Sequence, residues 1–414
     1  MEKLAIIGTG IAGMGCGHHL QSKYDITLFE QNDYIGGHTN TISVDEGGTH
    51  AHMDTGFMVF NRVTYPYLCK LFDEIKAPVK KTDMSFSVQH VPTGLEYCGS
   101  GLNGLFAQRK NIFNFRYIRM LKQIARFNEE SVKILAEEKY RDYSVRQFIT
   151  EFGYGEDMLW KYLIPMSSAV WSTPMELMLE FPIVTLVRFF QNHGFLGLNT
   201  QHQWYTVVNG SESYKKILIA PFKDRIVVGN GAKSVRRENG KVIVTTKDDQ
   251  QHTFDKVVIA AHGDQALAML EQPTGEEYRL LSTFKYQENM AVVHTDESIM
   301  PKTRSTWSSW NYRIEERNGK QLPSTIYWMN CLQGVSEKKN YFVSINPVEG
   351  SLDPSKVIKS IAYEHPLFDV PAIRAQEELH RLNETGPVYF CGSYFRYGFH
   401  EDAYMSAVEL CSKL

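Results

Sequence analysis

The sequence of 414 residues lacks any large excess of charge. Its 44 Lys and Arg residues nearly balance 47 Asp and Glu residues, and the formal net charge at pH 7 is −3. Proteins that bind nucleic acid by electrostatic attraction carry a clear excess of positive charge. The composition therefore gives no basis for a nucleic-acid partner, and we expect none.

The sequence also lacks paired cysteines. None of its six cysteines belongs to a C-x-x-C motif. This spacing argues against a disulfide framework and against a zinc site. We predict free and mostly buried thiols in a reducing compartment. The cysteines are Cys16, Cys69, Cys98, Cys331, Cys391 and Cys411.

A long hydrophobic run is missing as well. The longest charge-free apolar stretch, at 162–175, contains two prolines and several hydroxyl side chains, and it is too short to span a bilayer. Residues 4–7 already have the pattern of a buried strand and only MEK precedes them, so we expect no secretory signal. We predict a cytoplasmic protein, and the sequence leaves a peripheral membrane contact open.

The N-terminus contains a recognisable βαβ pattern. Residues 3–8, KLAIIG, predict a buried parallel strand that ends in glycine. Residues 10–23 predict the helix behind it, and residues 24–30, YDITLFE, predict a second strand. This unit has the size of the first half of a dinucleotide-binding fold.

Gly8, Gly10 and Gly13 stand in G-x-G-x-x-G spacing at the first strand–helix turn. In dinucleotide-binding units the first glycine makes the tight turn and the second lets the backbone approach a pyrophosphate. The third glycine lets the helix pack on the strand. Ile11 and Ala12 open the helix, whose N-terminus would face the phosphate.

An acid ends the second predicted strand. Glu30 lies 20 residues after Gly10, where an acid binds the adenosine ribose hydroxyls, and Gln31 follows it. A carboxylate at this position disfavours a 2′-phosphate and therefore NADP. The ordered strand, helix, strand and acid predict dinucleotide binding; a purely structural glycine turn is the alternative.

Two further segments favour a flavin over a nicotinamide. Gly36 and Gly37 allow a second close backbone approach to the same pyrophosphate. A nicotinamide dehydrogenase has no need of this pair, whereas the ribityl chain and ring of a flavin extend past the phosphates. The residues that follow in these segments are His38 and Thr39, then Asp54, Thr55, Gly56 and Phe57.

The C-terminal stretch 388–407, VYFCGSYFRYGFHEDAYMSA, predicts a strand, a turn at Gly392 and Ser393, and a helix. We expect the free N–H groups at this helix start to face the flavin's pyrimidine carbonyl and to stabilise charge on the reduced ring. Acidic residues at a helix start are also ordinary caps, which is the alternative interpretation. The first turn contains Glu401, Asp402 and Ala403.

Together these segments resemble the flavin-containing amine oxidase superfamily, which includes phytoene desaturases and protoporphyrinogen oxidase. More closely, the chain resembles a bacterial subgroup of FAD-dependent oxidoreductases and the N-terminal, oxidase-like part of plant cyclopropane fatty-acid synthases. The resemblance covers almost the whole chain through short motifs in a fixed order: GGHTNT, DTGFMVFN, PMSSAVWS, WYTVVNGSESY, AAHGDQAL, WSSWNY, YWMN, SINP and YGFHEDAYMSA.

Two residues depart from the superfamily pattern. Many members have arginine after Gly-Gly to bind the pyrophosphate, whereas this chain has His38, which offers fewer donors and is not always charged. Many flavoproteins have an acid where this chain has Ser393. No cysteine lies in the short stretch before the C-terminal strand. The resemblance therefore implies non-covalently bound FAD, with altered contacts at these two positions.

The resemblance implies an α/β fold with two domains. A discontinuous Rossmann-like FAD-binding domain would comprise residues 1–64, 201–268 and 384–414, and an α+β substrate domain residues 65–200 and 269–383. The FAD-binding domain would include a β-meander with a hairpin turn at Asn239–Gly240. By the resemblance, the backbone of Val235 touches the adenine and Ala260 passes close to the cofactor.

The apolar pattern predicts further elements in the substrate domain. Residues 65–200 are predicted to be helical, with helices at 114–138 and from Ser144 to Gly153. Residues 270–380 are predicted to contain mainly strands. The segment 181–190, FPIVTLVRFF, could dip into a membrane surface, as lipid-handling flavoproteins of this type do, or form an ordinary buried helix.

The predicted activity is oxidation of a substrate by hydride transfer to flavin N5. The resemblance favours a hydrophobic substrate such as a modified fatty-acyl chain; an amine oxidase is one alternative, and a non-catalytic flavin-binding partner of a lipid methyltransferase is another. A hydrophobic pocket or an aromatic core would explain the dense aromatic residues. These are Trp171, Trp204, Trp307, Trp310, Tyr312, Tyr327 and Trp328.

Candidate catalytic residues come from the resemblance alone. It places Tyr397 and His400 beside the flavin, next to the C-terminal loop. For His400 the alternative is a helix-start residue without a chemical role. No Ser–His–Asp arrangement, metal-ligand spacing or second G-x-G-x-x-G occurs in the sequence, which excludes the usual signatures of a triad hydrolase, a metalloenzyme and a disulfide reductase.

Overall fold

The N-terminal segment folds as a βαβ unit. In the computed structural model, which describes residues 1–197 and 200–414, strand Lys3–Ile7, helix Ile11–Leu20 and strand Asp25–Phe29 follow in order. The two strands pair in parallel, and the side chains of residues 4–7 are buried. The apolar run at the N-terminus thus forms the centre of a sheet.

The strands of the described residues carry the labels β1 to β20 in chain order. They are β1 (Lys3–Ile7), β2 (Asp25–Phe29), β3 (Thr41–Asp45), β4 (His50–Asp54), β5 (Phe60–Asn61), β6 (Val79–Thr82), β7 (Phe86–His90), β8 (Leu95–Cys98), β9 (Trp204–Val207), β10 (Ile226–Val227), β11 (Ala232–Glu238), β12 (Lys241–Thr246), β13 (Gln251–Phe254), β14 (Lys256–Ile259), β15 (Lys285–His294), β16 (Trp310–Arg317), β17 (Lys320–Trp328), β18 (Phe342–Ile345), β19 (Val357–Leu367) and β20 (Val388–Phe390).

The α-helices are labelled in the same way. They are α1 (Ile11–Leu20), α2 (Pro66–Glu74), α3 (Gly101–Leu105), α4 (Phe115–Glu130), α5 (Val145–Phe152), α6 (Glu156–Met158), α7 (Ile164–Trp171), α8 (Met175–Met178), α9 (Ile183–Asn192), α10 (Glu212–Ile219), α11 (Gly263–Met269), α12 (Gly275–Leu281), α13 (Met329–Leu332), α14 (Val370–Gln376) and α15 (His400–Cys411). Short 3₁₀ turns and one π-helical turn, Leu159–Leu163, connect several of them.

A five-stranded parallel sheet has the order β10-β2-β1-β14-β20. Its strands come from residues 1–64, 201–268 and 384–414, the three segments that the sequence assigns to cofactor binding. Strands β11, β12 and β13 form a separate antiparallel meander. Its hairpin turn has positive φ at Asn239 and Gly240, which matches a type I′ turn.

A second, seven-stranded sheet has the order β19-β15-β18-β17-β16-β7-β8 and is antiparallel except for the β16–β7 pair. Strands β7 and β8 lie in the segment 65–200, where the sequence pattern predicts helices. Strand β7 pairs with β8 in a local hairpin and with β16, which lies more than 200 residues further along the chain. Local pattern could not reveal the pairing of β7 with β16 because it is long-range.

Two helices in that segment test the sequence prediction directly. Helix α5 is bounded as predicted: Ser144 forms a capping box with Gln147, and Gly153 ends the helix with φ of 67°. The predicted helix 114–138 is shorter, because α4 ends at Glu130 and 3₁₀ turns follow it.

Helix α9 covers most of the segment 181–190. Its apolar side chains are buried in the core, including Ile183, Leu186, Val187 and Phe190. The alternative in which this segment dips into a membrane is therefore wrong, since the side chains that would enter the lipid already pack inside the protein. None of the helices in residues 1–197 and 200–414 has the length and hydropathy needed to cross a bilayer.

All six cysteines are free, and five of them are buried. The Sγ atoms of Cys16 and Cys391 approach to 3.7 Å without a disulfide. The structure thus agrees with the prediction that the thiols are free and mostly buried.

Candidate functional site

A cavity of about 880 Å³ opens at the carboxyl ends of the parallel strands. Its wall includes Ile7 at the end of β1, Phe29 at the end of β2, Ala260 after β14 and Gly392 after β20. Open α/β sheets bind their ligands at this edge. The cavity continues towards the seven-stranded sheet, where β15, β16, β17 and β19 contribute to the wall.

The glycine turn after β1 has the geometry that a bound pyrophosphate requires. Gly8 has φ of +98°, and a Cβ there would lie 2.6 Å from the Ala260 carbonyl oxygen. A Cβ on Gly13 would lie 1.9 Å from the Gly8 oxygen, so α1 packs directly on the turn. Gly10 is different, because a Cβ there would meet nothing within 4 Å. Gly10, Ile11 and Ala12 line the cavity at the uncapped start of α1.

The acid at the end of β2 is buried and held in place. One oxygen of Glu30 accepts hydrogen bonds from the N–H and the hydroxyl of Thr9, and the other accepts from the Asn32 N–H at 2.9 Å. Glu30 and Gln31 both line the cavity. The carboxylate therefore lies beside the glycine turn, where the sequence predicts a ribose contact.

Val235, the residue predicted to contact the adenine, does not line the cavity. Its side chain is buried, and its carbonyl accepts a hydrogen bond from the Glu271 N–H at 3.1 Å. The cavity is lined instead by residues 231–233 at the start of β11. Val235 lies on the same strand, which has a bulge between Ala232 and Ser234, and the adenine contact at Val235 stays a prediction.

The second glycine pair touches the first glycine turn. A Cβ on Gly37 would lie 3.4 Å from the Gly10 Cα, and the Gly36 N–H donates to the Thr9 hydroxyl at 3.2 Å. Gly37 lines the cavity, whereas Gly36 lies outside the wall. Thr39 is also outside it, where its hydroxyl contacts the Tyr214 hydroxyl at 2.7 Å.

Histidines form the wall beside Gly37. The His38 ring stacks on Tyr363 with centroids 4.7 Å apart, and the His365 ring lies 5.1 Å from it. His262 stacks on Tyr286 at 4.3 Å, and its Nδ1 lies 3.3 Å from a Glu364 oxygen. The Nε2 atom of His38 is buried without a hydrogen-bond partner. We name His38, His262 and His365 the histidine cluster.

Burial keeps two histidines of this cluster neutral. It lowers the pKa of His365 to about 4, and together with the neighbouring histidines it lowers the pKa of His38 well below its usual range. Both rings are therefore neutral at pH 7. Among the described residues of the cavity wall, the only side chain of fixed positive charge is Lys233, which pairs with Asp249 at 2.5 Å.

The Asp54–Phe57 segment divides into a buried anchor and a wall. Asp54 accepts hydrogen bonds from the Ser211 N–H, the Thr41 hydroxyl and the Gln333 amide, and burial raises the pKa of Asp54. Thr55 hydrogen-bonds Tyr363, which lines the cavity. Neither Asp54 nor Thr55 is itself part of the cavity wall. Only the following residues of the segment, Gly56 and Phe57, line the cavity.

Helix α15 begins at His400, and Glu401, Asp402 and Ala403 lie in its first turn as predicted. Asp402 caps it by accepting from the Phe399 N–H at 2.9 Å. Glu401 caps a different helix, because its oxygens accept from the N–H groups of Tyr67 and Leu68 in the first turn of α2. Neither acid lines the cavity, whereas Ala403, Gly392 and Ser393 do. Burial raises the pKa of Asp402 to about 7.

His400 and Tyr397 both lie in the cavity wall. His400 stacks on Phe57 with centroids 3.9 Å apart, and its Nε2 lies 2.6 Å from the Tyr214 hydroxyl. Burial lowers the pKa of His400 to about 3, so its ring is neutral. The Tyr397 carbonyl accepts a hydrogen bond from Trp171 Nε1 at 3.2 Å. Both residues are thus packed and partnered.

The part of the cavity away from the glycine turns is lined by aromatic side chains, and we name it the aromatic half. Its rings contact one another: Phe189 lies 3.8 Å from His193, 4.7 Å from Trp171 and 5.0 Å from Phe399, measured between centroids. The aromatic half comprises Met58, Tyr65, Met84, Trp171, Phe189, His193, Phe195, Trp204, Trp310, Tyr327, Tyr397 and Phe399.

The polar groups of the aromatic half are few. Burial lowers the pKa of His193 to about 4, and its Nδ1–H donates to the Phe189 carbonyl at 2.9 Å. The Nε1–H groups of Trp204 and Trp310 are buried and have no acceptor in the described residues. Buried donors are normally paired. Two unpaired donors therefore belong to residues that line the aromatic half.

Sequence reasoning found the glycine turns and several aromatic residues but missed other parts of the wall. His262 lies within the quoted AAHGDQAL motif, yet nothing in the sequence brings it near His38. His365 and Tyr363 carried no signal, because β19 reaches the cavity only through its pairing with β15. Of the seven quoted aromatics, Trp307, Tyr312 and Trp328 lie outside the wall.

The fold and the cavity define a flavin-dependent oxidoreductase. The family model for flavin containing amine oxidoreductases matches residues 11–320. The chain belongs to this family, whose members depend on FAD, as predicted from the motifs. A comparison with proteins of curated function gives no match.

Solved structures show the same fold over the whole chain. Putrescine oxidase, as a double mutant, aligns with a TM-score of 0.69 at 13% identity, covering 100% of this chain and 98% of that one. The CLA-producing fatty acid isomerase from P. acnes gives 0.69 at 15% identity, with coverage of 100% and 98%. Cyclohexylamine oxidase from Brevibacterium oxydans gives 0.69 at 13% identity, with coverage of 100% and 99%.

The residues of the cavity fit FAD. Gly10 leaves open space at the start of α1, where helix N–H groups favour a phosphate. The buried Glu30 carboxylate lies beside it for ribose hydroxyls, and the His38 Nε2 atom lacks a partner in the adjoining wall. The cavity also extends far enough beyond these groups to receive a ring system and a substrate.

Proposed function

We propose that this FAD-dependent oxidoreductase oxidises a hydrophobic substrate with an acyl group, such as a modified fatty-acyl chain, by hydride transfer to flavin N5. The observation that carries the proposal is the chemistry of the aromatic half. The residues named for it include no carboxylate, and among them the Nε1–H groups of Trp204 and Trp310 are buried and have no acceptor.

These donors distinguish acyl substrates from amines. An acyl carbonyl or carboxylate has lone pairs that accept from an indole N–H, whereas a protonated amine has only donors. A protonated amine would also be desolvated against apolar walls without a counter-charge, which is unfavourable. The aromatic half therefore supports an apolar chain with an oxygen acceptor better than it supports a cationic amine.

The residues of the chain supply binding, orientation and exclusion of water. We assign the cofactor contacts to Gly8, Gly10 and Gly37 through their backbone, and to Glu30 through its side chain. Bound FAD supplies a two-electron acceptor that takes a hydride at N5 and passes the electrons to oxygen or another acceptor.

The neutral His400 ring is held between Phe57 and Tyr214 at the start of α15. We therefore assign it a positioning role: it fixes the helix N-terminus whose free N–H groups would stabilise negative charge on the reduced ring. Tyr397 lines the aromatic half and contributes to its wall. The apolar walls would exclude water from the transferred hydride.

The test is anaerobic reduction of the flavin in the purified protein. The visible spectrum is recorded before and after addition of an unsaturated fatty acid, a cyclopropane fatty acid, putrescine or cyclohexylamine, with dithionite as the control for a reducible flavin. We expect bleaching with an acyl substrate and none with the amines. Bleaching by amines alone would overturn the proposal in favour of an amine oxidase.

A second result would change the class of function. If dithionite bleaches the flavin but no acyl substrate or amine does, the proposed oxidation of these substrates is contradicted. The alternative of a non-catalytic flavin-binding partner of a lipid methyltransferase would then be tested by co-purification with that enzyme.

A further inference from the structure

The start of helix α4 carries the most exposed aromatic side chains of the described residues. Phe113 is 84% exposed and Phe115 is 90% exposed, while the other described phenylalanines are at least partly buried. Leu102 and Ile112, in the same segment, are 70% and 49% exposed. Large apolar side chains grouped on a surface in this way mark an interaction site.

The same segment has charge of one sign. Residues 101–128 contain no Asp or Glu, and their basic residues are Arg109, Lys110, Arg116, Arg119, Lys122 and Arg126. Phe115, Arg119 and Lys122 are all exposed and follow one another at helical spacing on α4. The opposite face of α4 buries Tyr117 and Met120 in the core. The helix is thus amphipathic with an outer face that combines phenylalanine and cations.

A second cavity, of about 400 Å³, lies at this surface. Lys110, Arg116 and Lys161 line it, against the single carboxylate of Asp157. Asp157 is already paired, because it accepts from Arg116 Nη2 at 2.9 Å and from Lys161 Nζ at 2.5 Å. Phe113 also lines this cavity. A net positive pocket therefore lies beside an exposed phenylalanine.

We propose that the surface formed by Leu102, Phe113, Phe115, Lys110, Arg116 and Arg119 docks on a lipid bilayer that contains anionic headgroups. Phe113 and Phe115 enter the boundary between headgroups and acyl chains, as the apolar face of an interfacial helix does. The surrounding cations bind anionic headgroups, and the basic cavity receives a headgroup phosphate.

A bilayer suits this surface better than an acidic protein does. Two phenylalanines exposed to this degree project from the surface, and a fluid lipid boundary accommodates projecting side chains without a matching pocket. The absence of any carboxylate between 101 and 128 removes the groups that an anionic bilayer would repel.

The position of the surface also connects with the proposed function. Lys161 lies in the π-helical turn Leu159–Leu163, which continues directly into α7. The end of α7 at Trp171 lines the large cavity. At about 1.5 Å per helical residue, Lys161 and Trp171 are about 15 Å apart along the helix axis. A role of this surface in supplying a lipid substrate rests on the proposed function, but vesicle binding does not.

The experiment is co-sedimentation of the purified holoprotein with vesicles of phosphatidylcholine alone and with vesicles that also contain phosphatidylglycerol. We expect binding to the anionic vesicles only, and weaker binding at high salt because ions screen the cations. Since each basic residue near an anionic surface contributes a factor of about five to partitioning, Lys110→Glu should weaken binding at least fivefold.

Matched variants separate docking from general surface effects. The double variant Phe113→Ser/Phe115→Ser should lose at least tenfold in binding, whereas Tyr278→Ser should bind like the wild type, because Tyr278 is 62% exposed on α12 outside this surface. Lys223→Glu is the control for charge, because Lys223 is exposed in the turn Ala220–Arg225, which packs on α1 and α10 and does not line the basic cavity. Circular dichroism spectra like that of the wild type and retained flavin absorbance confirm that each variant is folded.

Three results would overturn the proposal. The first is equal sedimentation of the wild type with and without anionic vesicles. The second is unchanged binding of the double phenylalanine variant. The third is self-association of the free protein that the double variant abolishes without any vesicle binding, which would identify the surface as a contact between copies of the chain. Each leaves the bleaching test of the proposed oxidation intact.

Discussion

The two halves of the large cavity are built in different ways. The cofactor half consists of backbone turns at Gly8, Gly10 and Gly37 that follow strand ends, and its key contacts lie within the first 40 residues. The aromatic half consists of side chains such as Trp171, Trp204 and Trp310 from elements distant in the sequence. A backbone turn requires glycines at a fixed spacing that can be seen in the sequence. A wall of side chains from distant elements shows in the sequence only as a high content of aromatic residues.

The largest expected effect is a loss of FAD affinity in a cofactor-half variant that still folds. Gly10→Val adds side-chain atoms where a Cβ meets nothing within 4 Å, so the fold should tolerate it while the cavity loses space for a pyrophosphate. We expect FAD affinity to fall about a hundredfold, equivalent to about 2–3 kcal/mol. Quenching of FAD fluorescence during titration of the apoprotein measures this.

Gly13→Val is the matched comparison within the same motif. Its Cβ would lie 1.9 Å from the Gly8 oxygen, so it should destabilise the fold by about 3 kcal/mol or more, measured by urea unfolding. If Gly10→Val unfolds the protein as severely as Gly13→Val, the distinction between a ligand-facing and a packing glycine is wrong.

The next effect concerns the histidine cluster. Burial keeps His38 and His365 neutral in the free protein, the latter with a pKa of about 4. A bound pyrophosphate favours their protonated forms, so the complex holds more protons than the free protein. FAD affinity should therefore rise as the pH falls from neutrality towards 4, by up to about tenfold per pH unit for one proton.

Other charged groups face this cluster, and a variant separates their effects. Glu364 lies beside His262, and Lys233 and Glu30 also line the cavity. His38→Arg places a fixed charge next to Gly37 and should flatten the pH dependence and tighten binding. An FAD affinity of the wild type that does not change between about pH 5 and about pH 8 would contradict this role for the cluster.

Substitutions in the aromatic half should change the KM for the substrate and leave the affinity for FAD unchanged. Trp204→Phe and Trp310→Phe each remove an open N–H donor and keep an aromatic ring. We expect each to raise KM for an acyl substrate about fivefold, with FAD affinity unchanged, because one hydrogen bond contributes about 1 kcal/mol. Steady-state kinetics with the acyl substrate measures this.

Trp307→Phe serves as the control for these variants. Its Nε1–H already donates to the Pro301 carbonyl at 2.8 Å, and the residue lies outside the cavity wall. It should leave KM unchanged. An equal rise in KM for Trp307→Phe would mean that tryptophan replacement disturbs the sheet rather than a substrate contact.

The smallest effect is on stability at the start of α15. Burial raises the pKa of Asp402 to about 7, above its unfolded value, so the folded state binds more protons and loses stability as the pH rises from about 4 to about 7. The Asp402→Asn variant has no ionisable group here, so it does not lose stability in this way, and its amide oxygen can still accept the hydrogen bond from the Phe399 N–H. The variant should gain on the order of 1 kcal/mol relative to the wild type across that interval.

Urea unfolding of the apoprotein at several pH values measures this gain. Glu401→Gln is the comparison, because Glu401 caps α2 through two backbone N–H groups and should simply be destabilised. Parallel stability curves for Asp402→Asn and the wild type would contradict the shifted pKa.

Much of the fold could be predicted because its signals are local. The βαβ unit at residues 3–29, the hairpin turn at Asn239–Gly240 and the caps at Ser144 and Gly153 each depend on neighbours in the chain. The missed features share one cause. Strands β7 and β8 join the sheet through the long-range pairing of β7 with β16, and the place of residues 231–233 in the cavity wall depends on tertiary packing, which no local pattern reports.

The sequence by itself determined the dinucleotide-binding turn, the acid at Glu30, the second glycine pair and the family. These features can be recognised in the sequence because a tight turn or a close approach requires glycine at fixed spacing. Only the tertiary structure decided that His262 and His365 join His38 and that Trp204 and Trp310 hold open donors in one wall. It alone showed Phe113 and Phe115 exposed while α9 is buried. Such proximity and exposure arise when distant segments pack, and packing depends on the whole chain.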